Sequence, residues 1–174
     1  NYVDDFFAGY DHGKQAGIIS VADHHIVPGK KVWTWGTGPR GRMWDKILTD
    51  EDGPYIELMV GAYSDNQPDY SWLFPFETKS FEMYWYPFRQ LGGVKNANLQ
   101  AAVNLEVNSG RVKLGFYTTE EHPAAEVEFS AGPRILHGET IRISPSQPYV
   151  RELALPLGVQ ERDLRVSLKV NGRE

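Results

Sequence analysis

Apolar and polar side chains alternate along this chain with a period of two, in short runs closed by turn residues. That pattern leaves few folds open, because period two marks a pleated strand with one face turned to a core. In residues 55–60, Ile56, Leu58 and Val60 share one face and are expected to be core. Tyr55, Glu57 and Met59 share the other. Glu57 is then a carboxylate beside an aromatic ring, projecting away from an apolar face. Residues 80–88 alternate in the same way, with Phe81, Met83 and Trp85 on one side and Glu82, Tyr84 and Tyr86 on the other. Between the two runs, Ser64-Asp65-Asn66-Gln67-Pro68-Asp69 has turn chemistry, and Pro75-Phe76-Glu77-Thr78 reads as a second turn.

Ahead of these runs, residues 1–10 hold a plausible strand around Phe6-Phe7, and Asp11-His12-Gly13 reads as a turn. Residues 17–27 alternate as one strand, which places the adjacent His24 and His25 on opposite faces, so no shared metal is expected there. Pro28-Gly29 turns the chain into a strand over residues 31–35 that carries Trp33 and Trp35 on one side. Residues 36–41, GTGPRG, lack both the GxxxxGK[ST] and the GxGxxG spacing, which argues against nucleotide binding. Residues 43–48 suggest a short helical turn. Asp50, Glu51 and Asp52 do not meet the EF-hand spacing and read as a solvated acidic turn.

After Arg89 the composition shifts. Residues 91–98, LGGVKNAN, read as a linker, and all five Trp lie before it. Seven short alternating strands are expected beyond it, over residues 101–107, 111–118, 125–129, 134–136, 140–143, 149–155 and 164–170. Asn108-Ser109-Gly110 is a hairpin signal. Strands of this number and length suggest an immunoglobulin-like or fibronectin-like sandwich. His122 and His137 are isolated and read as surface or minor core.

Composition narrows the functional classes. The 174 residues suffice for one ordinary domain or two small ones. With no Cys, a disulfide framework or thiolate metal site is excluded. A net charge of −5 argues against nucleic acid as a partner. No apolar run approaches the roughly 20 residues that span a membrane as a helix. No cofactor is expected.

The order strand with Glu57, Pro/Asp/Asn-rich loop, turn at Pro75 to Glu77 and aromatic closing strand resembles the C-terminal end of the galactose mutarotase-like supersandwich of the aldose epimerases. The resemblance implies that Glu57 stands at the family's catalytic base position, with Asp65, Asn66 and Gln67 in the loop after it. The epimerase pattern has Thr-Gln directly after the Glu, whereas this chain has Leu58-Met59. Over residues 5–95 the phrases GYDHGKQAG, VADHHIVPGKKVWTWG, MWDKILTDEDGPYIEL and DNQPDYSWLFPFETKSFEMYWYPFR resemble an uncharacterised bacterial domain family related to the same fold. That family occurs in carbohydrate-linked and tetratricopeptide-repeat proteins. Because the supersandwich needs about twice the length present, an N-terminal portion is expected to be missing.

These readings give an all-β chain in two parts: residues 1–95 as part of a mutarotase-like sandwich, and residues 96–174 as an Ig-like sandwich. Carbohydrate is the expected partner, since sugars want aromatic platforms beside charged hydrogen-bonding groups. Trp33, Trp35, Trp44, Trp72 and Tyr55 supply the rings, and Asp45, Asp65, Asn66, Gln67 and Glu77 the polar groups. An epimerase would use Glu57 as base, with His25, His12 or a residue upstream of this stretch as the acid. A glycoside hydrolase would pair Glu57 with Asp45 or Glu77. A non-catalytic binding or scaffold module, or a protein-interaction domain, is the alternative.

Overall fold

The computed structural model describes residues 3–66 and 69–174. Among these residues twelve strands and one α-helix succeed one another: β1 (Phe6–Asp11), β2 (Ala16–Val21), β3 (Lys31–Thr34), α1 (Pro39–Thr49), β4 (Ile56–Met59), β5 (Tyr84–Arg89), β6 (Asn96–Ala97), β7 (Ala101–Asn108), β8 (Arg111–Thr118), β9 (His122–Ala131), β10 (Arg134–Ile143), β11 (Tyr149–Ala154) and β12 (Leu164–Val170). The protein is therefore mostly β. It divides into two compact units, Asn1–Phe7 with Ala22–Met83, and Ala8–Val21 with Tyr84–Glu174. No helix among the described residues is long and apolar enough to cross a membrane.

The second unit holds a sheet of order β11-β8-β7-β6 and a sheet of order β10-β9-β12. Val112, Leu114 and Phe116 of β8 meet Ala125, Val127 and Phe129 of β9 in one core, completed by Ile143 and Leu164. Each set is spaced by two, so one face of each strand makes the core, as alternation requires. The C-terminal half of β8 is buried on its other face as well. There Gly115 leaves room for Leu91, because a Cβ at Gly115 would lie 2.9 Å from the Leu91 Cδ2. Tyr117 on that face stacks on Tyr86, with centroids 6.3 Å apart. The Tyr86 hydroxyl donates to the Asn98 carbonyl at 2.9 Å, and burial holds its pKa far above the ordinary phenol range.

A third sheet has the order β1-β2-β5. Pro87 sits within β5, and β5 is an edge strand, the place where a residue without an N–H is tolerated.

Several sequence-based expectations are corrected here. The strand expected over residues 17–27 ends at Val21, and the strand expected from residue 80 begins at Tyr84. Both limits have one cause: Val21 pairs with Tyr84 in the last rung of the β2–β5 ladder. Beyond it, Asp23 captures the chain. Its carboxylate accepts the His25 N–H at 2.9 Å and its carbonyl accepts the Val27 N–H at 2.8 Å, so residues 24–26 turn instead of extending. The helix is longer than the expected turn at residues 43–48, because Pro39 opens it from inside the Gly-rich stretch with Gly38 as N-cap. Residues 134–136 and 140–143 belong to a single strand, β10, whose ladder to β9 shifts register between Ile135 and His137 and between Ile141 and Ile143. Residues 91–98 are no free linker, since Leu91 is fully buried and Asn96–Ala97 pairs with β7.

The first unit has a thin core. Its buried apolar side chains among the described residues are Ala22, Val27 and Ala62. Ile56, expected in the core, is exposed, while Leu58 and Val60 are half-buried. β3 and β4 form only a two-stranded sheet, too small to cover both its faces.

Candidate functional site

Glu57 lies on β4, where it is half-buried. Its cross-strand partner on β3 is Trp33, directly opposite in the antiparallel register. Opposed residues project to the same face, so the Trp33 indole flanks the Glu57 carboxylate. Two residues back, Tyr55 shares that face and donates its hydroxyl to Glu57 Oε2 at 3.0 Å. This bond, more than burial, raises the Tyr55 pKa, because ionising the phenol would both lose the donor and set two negative charges together.

Helix α1 is fastened to the same element. Asp45 Oδ1 accepts the Tyr55 backbone N–H at 2.9 Å, so Tyr55 links two carboxylates, one through its amide and one through its hydroxyl. One turn on, the Thr49 hydroxyl donates to the Asp45 carbonyl at 2.7 Å and also reaches the Gly53 carbonyl. At the start of the helix, Gly41 lets the backbone approach the end of β3. A Cβ at Gly41 would lie 2.1 Å from the Gly36 carbonyl oxygen and 2.4 Å from that of Trp35. Trp44, three residues further along, shares the face of Gly41 and stacks on Trp35 with ring centroids 5.3 Å apart. Trp33 and Trp35 both remain 47% exposed. The outcome is that Trp33 and Tyr55 share the face of Glu57, while Asp45 ties α1 to Tyr55 and Trp44 stacks on Trp35, two residues along the chain from Trp33. The opposite face of the helix carries Arg42, Met43, Lys46 and Ile47, which line an open depression of about 710 Å³ with Thr37 and Pro39. Glu57 does not line that depression.

The other expected site residues are placed elsewhere in local structure. Asp65 accepts a hydrogen bond from Ser71 on its carboxylate and one from Lys31 on its carbonyl, the latter at 2.7 Å. The Asn66 carbonyl accepts the Asp69 N–H at 2.7 Å. Gln67 lies outside the described residues. Glu77 closes its own turn: its carboxylate accepts the Phe74 N–H at 2.9 Å and its N–H donates to the Phe74 carbonyl at 3.0 Å. Trp72 is 77% exposed. His25 contacts Asp23. His12 belongs to the second unit, where its ring meets Tyr10 edge-on at 5.1 Å.

The tie between Asp45 and Tyr55 had no sequence signal, since it joins a helix residue to a strand amide ten positions on. Gly41 was legible only as part of a Gly-rich loop.

Two family models match the chain, over bounds that differ from those of the two compact units. A family described as YphG-like protein, second domain, matches residues 96–174. No solved structure matches the chain. A second family model covers residues 2–90, just over half of the 174 residues and the whole Glu57 patch. The chain thus belongs to the family described as Domain of unknown function (DUF5107).

Proposed function

We propose that the chain is a carbohydrate-binding or carbohydrate-processing piece of a larger carbohydrate-active protein, with residues 1–95 built on a mutarotase-like sandwich and residues 96–174 on an Ig-like one. The observation that carries this reading is the patch itself. A half-buried carboxylate shares its face with Trp33 and Tyr55, and Trp35, two residues on from Trp33, stacks on the half-buried Trp44. Sugars offer apolar ring faces and a rim of hydroxyls. Indole faces take the first, and a carboxylate held by a single phenol hydrogen bond keeps lone pairs for the second. The resemblance around Glu57 to the aldose epimerases agrees with this assignment, and Glu57 is the acid or base that turnover would need.

Titration calorimetry with a panel of monosaccharides and short oligosaccharides tests it. Trp33→Ala is expected to weaken binding by about tenfold, in line with about 1–1.5 kcal/mol for a lost ring contact. Glu57→Gln is expected to preserve the fold and abolish any turnover. Undiminished turnover in that variant removes Glu57 from the chemistry, and failure of every sugar to bind removes the carbohydrate reading.

A second reading, a protein-interaction module, is favoured by one separate feature. Tyr70, Trp72, Leu73, Phe74 and Phe76 follow one another closely and are all exposed. Clustered apolar exposure of this kind marks surfaces that meet another macromolecule.

A further inference from the structure

The turn that ends β2 gathers groups that a strand would have separated. Asp23, His24 and His25 each bring one donor atom to within 4.8 Å of the other two. The two imidazole centroids are 3.8 Å apart, and His25 Nδ1 stands 3.2 Å from Asp23 Oδ1. A tetrahedral zinc site with bonds of about 2.0–2.1 Å has donor–donor edges of about 3.4 Å, so small side-chain rotations bring the three donors into place. His24 is also oriented from outside the cluster. Asp5 Oδ1 lies 2.6 Å from His24 Nδ1 and accepts the His24 backbone N–H at 3.0 Å. With the Nδ1 proton held by a carboxylate, the neutral ring presents its lone pair on Nε2. A carboxylate behind a metal-binding histidine does the same in known zinc sites, fixing tautomer and ring angle. His25 is 78% and Asp23 54% exposed, so water has access to any remaining coordination position.

We propose that Asp23, His24 and His25 bind a divalent transition metal, zinc or a similar imidazole-preferring ion, with Asp5 as the positioning residue for His24. Two imidazoles and one carboxylate suit zinc, nickel or copper and disfavour magnesium and calcium, which want oxygen donors alone. Three protein donors leave an open position, the arrangement of a site able to hold water or a substrate oxygen. The site is independent of the carbohydrate reading, because none of its residues belongs to the Glu57 patch.

The test uses the full chain freed of any affinity tag and zinc chloride as the probe, followed by calorimetry. Saturable uptake of one zinc per chain is expected. His25→Ala, a change at an exposed side chain, should weaken it at least about tenfold, and Asp5→Asn should weaken it by about 10–100-fold without removing a ligand. His122→Ala should bind as the unaltered chain does. Cobalt in place of zinc should show the strong visible absorption of a four-coordinate ion. Absence of saturable uptake, equal losses in the His25→Ala and His122→Ala variants, or a weak octahedral-type cobalt spectrum would overturn the proposal.

Discussion

Replacing Gly41 by alanine sets two effects of known sign against each other. Alanine is the better helix former by about 1 kcal/mol, and Gly41 lies inside α1, so propensity alone predicts a more stable protein. Sterics predict the reverse. The added methyl would sit 2.1 Å from the Gly36 carbonyl oxygen and 2.4 Å from the Trp35 carbonyl oxygen. Both obstacles are backbone, which cannot swing aside as a side-chain tip can. To reach ordinary contact, helix and strand end must separate by more than about 1 Å, and forced overpacking of that kind costs about 1–3 kcal/mol. The clash is severe enough to place the cost near the top of that range. After the propensity gain is subtracted, a net loss of about 1–2 kcal/mol is expected. The separation also pulls Trp44 off Trp35. Urea unfolding followed by tryptophan fluorescence reads this directly, because four of the five Trp lie in the first unit. Near-ultraviolet circular dichroism reports the indole stack itself. Gly61→Ala is the control, as a Cβ there meets nothing within 4 Å. A Gly41→Ala protein at least as stable as the original, with its indole signal intact, would refute the close approach of α1 to β3.

In the second unit, Leu114 is fully buried between the two sheets, and Leu114→Ala should cost about 2–5 kcal/mol in urea unfolding monitored by far-ultraviolet circular dichroism. Glu139 supplies a pH signature. The Tyr149 hydroxyl at 2.6 Å, then the His137 ring at 2.8 Å and the more distant Arg151, hold its carboxyl below the usual range. A folded pKa below the unfolded value of about 4.3 means stability that is present above that value and lost as pH falls through the folded pKa. Tyr149→Phe removes the largest cause, so the acid-side decline in the urea midpoint between about pH 5 and pH 3 should become shallower than in the original protein. An unchanged slope would show that the Tyr149 contact does not tune Glu139.

Alternation made much of the second unit legible. In β8 the same-face positions Val112, Leu114 and Phe116 are all core, as period two requires. The end of β2 was not legible, because residues 17–27 keep a strand-like pattern through Asp23. A hydrogen bond to an Asx side chain competes with a ladder only once the neighbouring strand has run out of partners, and that depends on residues more than sixty positions away. The separation of His24 and His25 expected on a strand was therefore replaced by rings in contact.

The candidate site divides in the same way. Local spacing alone puts Tyr55 and Glu57 on one face of a strand, since residues two apart in a pleated chain must share a side. Trp33 joins them through the β3–β4 register, and Asp45 and Trp44 through the docking of α1. Those are long-range choices, set by which backbone groups find partners and by the one glycine that lets helix and strand touch. The amino-acid order determined the strands and the type of acid on offer. Only tertiary contact decided which rings surround that acid, because pairing partners and close approaches are properties of the folded whole.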